Sequence, residues 1–345
     1  MNQFKKAVRL VFSASLLLAL AFVLAGCAGA GGQNDAQPEP EQKAQPVEVR
    51  VASMKGPTSM GMVAFMDEAK AGEVENDYKF SIVGTADEIV PNIVKGDFDI
   101  ALVPANMASV LYKKTEGGVA VVDINTLGVL SVVTGDRSVA SFSDLAGRTV
   151  YLTGKGTTPE YVMNHLLSAA GIADSVTLEY KSEAPEVVAA LAADPMAVGV
   201  LPEPFVTAAC AKNEQLSAVI GLTQVWDEIA GDSGSQLVTG VTVVRREFAD
   251  EHPDAVKEFL ACHAESAKAV TSDPAAWAQA VVDAGIVDSA PVAERAIPGC
   301  NIVCLTGDDM KAALSGYLTV LHAADPASVG GGLPADDFYL MDVEG

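Results

Sequence analysis

Cations are scarce in this 345-residue chain: 22 lysines and arginines face 45 aspartates and glutamates, for a formal net charge of −23. A surface so poor in positive charge cannot neutralise a phosphate backbone, which excludes nucleic-acid binding. Histidine is rarer still. His165, His252, His263 and His322 stand apart, with no H-E-x-x-H spacing, and neither a G-x-S-x-G elbow nor a P-loop occurs. With those constellations missing, no catalytic residue and no cofactor are expected. Of the five cysteines, Cys300 and Cys304 have no second cysteine pair and no histidine cluster beside them, so no metal site is expected. Long apolar runs are lacking beyond the N-terminal region. Hydrophobic residues nonetheless make up 50% of the chain, enough for a folded core, and the length fits about two domains.

The one membrane-like stretch is N-terminal. Lys5, Lys6 and Arg9 lead into an apolar run from Leu10 to Val23, which ends in Leu24-Ala25-Gly26-Cys27. A basic start, an apolar run too short to span comfortably and small residues at its end describe a signal peptide over residues 1–26. The ending resembles the bacterial lipoprotein lipobox, which implies cleavage before Cys27 and lipidation of Cys27. An ordinary signal peptide or an uncleaved anchor is the alternative. Several acyl chains hold a protein firmly where one alone is marginal, so the expected location is the extracytoplasmic face of the cell membrane. Loss of three cations leaves the mature chain at 19 − 45 = −26. That charge favours solubility and says little about the sign of a ligand. Export permits disulfides, but Cys210, Cys262, Cys300 and Cys304 can pair in three ways and the sequence does not choose.

Residues 27–46, rich in Gly, Gln, Pro and Glu, read as a solvated tether. From Val47 onward, apolar runs (VEVRVASM, YKFSIVG, FDIALVP) alternate with helical patterns near Ser59 to Ala71 and Asp87 to Lys95. Strand and helix in alternation predict a parallel α/β sheet. A second series aligns with the first: Met54-Lys55-Gly56 matches Gly154-Lys155-Gly156 at +100, and Val103-Pro104 matches Leu201-Pro202 at +98. Two βαβαβ halves of common plan follow, chance similarity between α/β units being the alternative. Two β-prone runs, VAVVDINTLGVLSVVTG and SQLVTGVTVVRREF, read as crossings near Val133 and Leu237. The expected organisation is one lobe from residues 47–133 and 238–345 and a second from 134–237. Helices are expected after His252-Pro253, Asp273-Pro274 and Gly307-Asp308, and coil over the tail from Ser328.

In open parallel α/β sheets, ligands bind beyond the carboxyl ends of strands, where helix N-termini expose N–H groups. Those ends carry Lys55, Thr58 and Ser59 in one half and Lys155, Thr157 and Thr158 in the other. Simple helix capping explains either loop alone; two matching loops point to a shared cleft. Thr85, Asn106 and Glu203 fall on the same edges, and Asn106 carries an amide able to orient a polar ligand. Residues 231–236 read as a hinge loop, Trp226 as core in preference to a stacking platform, and Met54, Met60, Met62 and Met66 as core filler. Asp97 and Asp99 read as a turn before a strand.

On these residues the sequence resembles the NMT1/THI5-like group of ABC-transporter solute-binding lipoproteins for nitrate, sulfonate, taurine and thiamine precursors. The carrying features are the lipobox, KGPTSMGM at 55–62, GDFDIALVPANMAS at 96–109, SDLAGRTVYLTGKGTTPEY at 143–161, LPEPFV at 201–206 and FADEHPDAVKEFL at 248–260. The resemblance implies a two-lobed periplasmic-binding-protein fold of the second topological type, each lobe a mostly parallel sheet flanked by helices. It implies a monomer that holds a small solute between its lobes and delivers it to a permease with its ATPase. Carried over, the ligand-facing positions are Thr58, Ser59, Thr85, Asn106, Thr157, Thr158 and Glu203, with Lys55 and Lys155 beside them. Two lysines without an arginine leave the solute's charge open. Two alternatives stand: an enzyme on the same fold with Glu203 as its cleft carboxylate, and a surface lipoprotein that senses instead of importing.

Overall fold

Two sets of buried strands organise the protein. The computed structural model describes residues 45–231 and 235–341. The leader, Cys27, the tether up to residue 44 and hinge-loop residues 232–234 lie outside the described residues. The chain first runs β1 (Glu48–Met54), α1 (Pro57–Met60), α2 (Val63–Ala71), β2 (Asp77–Val83), α3 (Ala86–Lys95), β3 (Ile100–Pro104), α4 (Ala105–Lys114) and β4 (Val119–Leu127). It continues through β5 (Leu130–Thr134), β6 (Thr149–Leu152), α5 (Thr158–Ala169), β7 (Thr177–Tyr180), α6 (Ala184–Ala193), β8 (Val198–Pro202), α7 (Phe205–Lys212), β9 (Ser217–Gly221) and α8 (Leu222–Ala230). It closes with β10 (Val238–Arg245), α9 (Arg246–Glu251), α10 (Pro253–Ser272), α11 (Pro274–Asp283), α12 (Ala290–Ala296), β11 (Ile302–Leu305) and α13 (Gly307–Ala324).

Among the described residues, the strands form a sheet of order β2-β1-β3-β10-β4-β11 and another of order β7-β6-β8-β5-β9. In each, three parallel strands are followed by an antiparallel one, β10 in the first and β5 in the second. The segments aligned at +98 to +100 therefore occupy equivalent places: β1 with β6, β2 with β7, β3 with β8. Helices cover the faces. Phe65 of α2, for example, meets Tyr78, Phe80 and Phe259 edge-on at 4.7, 5.2 and 5.8 Å, arrangements that add to the burial of the rings.

Local chemistry explains the boundaries. Pro253 opens α10 at a position where no N–H is needed, and the Asp273 carboxylate accepts from Ala276 N at 3.2 Å to cap α11. The single helix expected over Ser59 to Ala71 is instead two, because Gly61 presses against β11. A Cβ there would stand 2.8 Å from Ile302 Cγ2. The β-prone run expected to cross near Val133 divides earlier: β4 ends at Leu127 in the first sheet and β5 begins at Leu130 in the second. Gly128 makes the passage. A Cβ on it would lie 2.1 Å from Thr223 Oγ1 and 3.2 Å from Leu237 Cδ2, so the bare backbone fits where a side chain does not. The tail is more than coil, since Leu340 N donates to Val121 O at 2.9 Å and Phe338 is fully buried. Cys210, Cys262, Cys300 and Cys304 are free thiols.

Asp97 turns the chain, but Asp99 is buried and ties three strands together. Its carboxylate accepts from Arg50 Nε at 2.8 Å, Arg50 Nη2 at 2.7 Å and Arg245 Nη2 at 3.0 Å. Burial pushes the Asp99 carboxyl up, but the Arg50 and Arg245 hydrogen bonds outweigh it and hold it below its ordinary value. A depressed carboxylate adds stability above its unfolded pKa and loses it as pH falls through the folded value. Asp99→Asn is therefore expected to lower stability at neutral pH by about 2 kcal/mol and to flatten the acid limb. Denaturant unfolding between pH 2 and 7 reads both, and an unchanged acid limb would assign it to other groups.

Candidate functional site

The carboxyl ends of the parallel strands carry the expected loops, and most of their hydroxyls first serve the backbone. After β1, Gly56 takes a left-handed φ of 136°, and the Thr58 and Ser59 hydroxyls donate to Met54 O at 3.1 and 2.6 Å. Ser59 is buried against Ser53, their oxygens 2.5 Å apart, while Lys55 is exposed. After β6, the Thr157 hydroxyl donates to Gly154 O at 2.8 Å, and Lys155 Nζ lies 5.8 Å from the Tyr180 ring centroid. Thr85 is exposed and engaged with Glu88, whose Oε1 accepts from Thr85 N at 3.0 Å and Oγ1 at 3.2 Å. This is a reciprocal cap of α3. As placed, Thr85 serves its own helix.

Asn106 and Thr158 behave differently. Asn106, at the start of α4, is buried, and its Nδ2 donates to Ser328 O at 3.2 Å and to Gly156 O at 3.4 Å. The second bond reaches from the β3 loop of one sheet to the β6 loop of the other. Its Oδ1 is buried without a partner, as is the Thr158 hydroxyl two residues beyond Gly156. Buried polar atoms are nearly always satisfied, so a pair left open at one junction needs an explanation. Tyr317 of α13 joins them. Burial pushes its phenol up, and its hydroxyl, like that of Thr158, is buried without a hydrogen-bond partner.

Glu203, after β8, meets the chain beyond α12 instead. Its carboxylate accepts from Thr207 N at 3.1 Å and Thr207 Oγ1 at 3.0 Å, and a Cβ on Gly299, beyond α12, would come within 3.3 Å of its Cγ. Burial raises the Glu203 carboxyl, with the Thr207 donors offsetting part. A raised acid loses stability as pH climbs from its unfolded value toward its folded one. Glu203→Gln is expected to raise the thermal midpoint at neutral pH and to flatten the slope above pH 4.5. A lower midpoint in a pH series of melting curves would mean that the Thr207 bonds outweigh burial.

Beneath the β1 loop lies a polar chain that sequence reasoning missed. Asp123 Oδ1 accepts from Thr242 Oγ1 at 2.8 Å, Thr242 Oγ1 from Asn125 Nδ2 at 3.2 Å, and Asn125 Oδ1 from Thr126 Oγ1 at 2.9 Å. Asp123 and Asn125 break the otherwise apolar run of β4, which was the available signal. His263 Nδ1 lies 3.1 Å from Asp123 Oδ2. Cys304 completes the group: its sulfur, a His263 ring nitrogen and an Asp123 oxygen all lie within 4.8 Å of one another. No histidine cluster is expected beside Cys304, and the packing of α10 against β11 brings one histidine, His263, to it from far along the chain. Trp226 is core, its Nε1 donating to Ser235 O at 3.3 Å and its ring 5.4 Å from that of Tyr317. A cavity of about 550 Å³ lies at the far edge of the second sheet, among Thr134, Arg137, Pro195 and Met196, away from both Lys-Gly loops.

The profile of the NMT1/THI5-like proteins matches residues 90–277, more than half of the chain. The chain belongs to the NMT1/THI5-like family. Solved structures agree on the fold. An ABC transporter protein from Parabacteroides distasonis superposes with a TM-score of 0.72 at 20% identity, covering 86% of this chain and 99% of its own. The periplasmic aliphatic sulphonate binding protein SsuA of Escherichia coli gives 0.65 at 13% identity, covering 83% and 91%. The desulfurization enzyme DSZB gives 0.60 at 13% identity, covering 86% and 97%. No curated protein matches in sequence. This NMT1/THI5-like chain thus has the two-lobed periplasmic-binding-protein fold of the second topological type. Among the described residues, no helix is long and apolar enough to cross a membrane.

Proposed function

We propose that this NMT1/THI5-like chain is the extracytoplasmic solute-binding lipoprotein of an ABC importer. It is held to the membrane face by acyl chains on Cys27, acts as a monomer, and passes its solute to a permease driven by its ATPase. Each sheet with its helices acts as a lobe, the passages at Gly128 and before β10 being the hinge. The observation that carries the reading is the pair of buried, unpartnered oxygens, Asn106 Oδ1 and Thr158 Oγ1, on strand-end loops of opposite sheets. A small organic solute, or an oxyanion that also carries a donor group, that donates to Asn106 Oδ1 and bonds the Thr158 hydroxyl is favoured only when the lobes are together, and that differential affinity is what drives closure. The shared fold of the Parabacteroides ABC transporter protein and the Escherichia sulphonate binding protein supports the same reading.

Thermal-shift screening of sulfonates, nitrate, bicarbonate and thiamine pyrimidines tests it. At a hundredfold excess over Kd, a true solute adds about 2.7 kcal/mol to stability, a rise of several degrees. A folded protein that no member of the panel stabilises would contradict the proposal.

An enzymic reading rests on the raised Glu203 carboxyl and the fold shared with DSZB. Both Glu203 oxygens are taken by Thr207, which favours a structural role. Solute recovered chemically unchanged after prolonged incubation with the protein excludes turnover.

A further inference from the structure

Asp123 on β4, His263 on α10 and Cys304 on β11 come from three elements far apart in sequence, yet their donor atoms converge within 4.8 Å. Stabilising a buried carboxylate does not require this. Asp123 already accepts from Thr242 and pairs with His263 Nδ1, and a thiol placed beside a carboxylate adds little. The second ring nitrogen of His263, Nε2, is buried without a partner. Asp123 lies against the Nδ1 edge of the ring, so Nδ1 is the nitrogen set to share a cation with the carboxylate, and the open Nε2 on the other edge can carry the ring proton when it does.

The geometry points to a zinc-class divalent metal site in the first lobe, with Asp123, His263 and Cys304 as its three protein ligands. A sulfur, nitrogen and oxygen donor set suits zinc and its neighbours and disfavours magnesium or calcium, which take oxygen alone. Zinc bonds of about 2.0–2.3 Å set ligands roughly 3.5 Å apart, so small side-chain rotations close the set. On binding, the Cys304 thiol gives its proton to solvent, and the cation then faces two negative ligands and one neutral one. Because the thiol must lose its proton to bind, metal affinity falls as pH is lowered. Thr242 remains on the other Asp123 oxygen and orients the carboxylate. The site would pin β11 to β4 beside the passage, where Leu127 N donates to Asn301 O and Asn301 Nδ2 to the Gly128 carbonyl.

The proposal is independent of the solute reading. Its test is titration of the chelator-treated full chain with cobalt(II). The expected result is saturation at one cobalt per chain with a near-ultraviolet sulfur-to-cobalt charge-transfer band. Cys304→Ser abolishes that band, and His263→Gln weakens cobalt binding at least tenfold, while circular dichroism stays native. A variant lacking Cys210 and Cys262 keeps the band, which preserves the test should Cys304→Ser fail to fold. Absence of the band in the wild-type chain, its survival in Cys304→Ser, or its loss with Cys210 and Cys262 would overturn the site.

Discussion

Alanine at Asn106 is expected to weaken solute binding by ten- to a hundredfold, about 1.4–2.8 kcal/mol. The amide has two roles at the junction. Its Nδ2 ties the strand-end loops of the two sheets through Gly156 O, and its Oδ1 is the open acceptor. Truncation removes both, together with the bond to Ser328 O, so stability should fall by about 1 kcal/mol. Thr158→Val keeps the shape and deletes only the open hydroxyl. It is expected to cost about tenfold in affinity, with little change in fold. Because the two side chains would hold one ligand, their effects should not add in the double variant. Calorimetric titration with whichever solute stabilises the protein, set beside denaturant unfolding of each variant, separates lost binding from lost stability.

Gly240→Ala is expected to disturb the site from below. Gly240 sits early in β10, where the chain re-enters the first sheet, and a Cβ there would lie 2.5 Å from Asn125 Oδ1 and 2.8 Å from Thr58 Cγ2. Neither neighbour yields easily. Moving Asn125 breaks its contact with Thr126 and its bond to Thr242, and so loosens Asp123. Moving Thr58 disturbs the turn that its hydroxyl closes on Met54 O. Overpacking with lost buried hydrogen bonds costs about 2–4 kcal/mol, and for a protein of this size each kilocalorie lowers the midpoint by about 2 °C. A drop of about 4–8 °C in differential scanning calorimetry is the expected outcome, with solute affinity reduced at least tenfold. A variant that melts like the wild type would show that β10 has room the geometry denies.

Much of the architecture was legible because it is local and repeated. Alternating apolar runs and helical patterns gave the strand-helix order, and the +98 to +100 offset paired β1, β2 and β3 with strands that hold the same positions in the second sheet. The Lys-Gly loops follow β1 and β6, where topology puts the carboxyl ends of parallel strands. The crossing at Gly128 was missed because β4 and β5 form one continuous β-prone run, and the only mark of the division is a glycine whose need is steric and arises from Thr223 and Leu237. Thr85 and Glu203 show the limit of residue-type reasoning. A hydroxyl or carboxylate at a strand end serves a cap as readily as a ligand, and here Glu88 and Thr207 claim them. Tyr317, His263 and Cys304 reach their partners only through the packing of α13, α10 and β11, and no spacing along the chain encodes that packing.

The negative charge of the chain does not carry into the junction. The open groups there are an amide oxygen and hydroxyls, Lys55 is exposed, and Lys155 rests against Tyr180. Recognition in this account depends on hydrogen bonding by neutral groups held by two lobes, and closure depends on a solute that spans them.

Calorimetric titration of the wild-type chain and the Asn106→Ala, Thr158→Val double variant, with the most stabilising solute of the panel, tests that claim most directly. The expected result is one solute bound per wild-type chain and affinity at least tenfold weaker in a double variant of native fold. Equal affinity in the two proteins would place the solute elsewhere and contradict it.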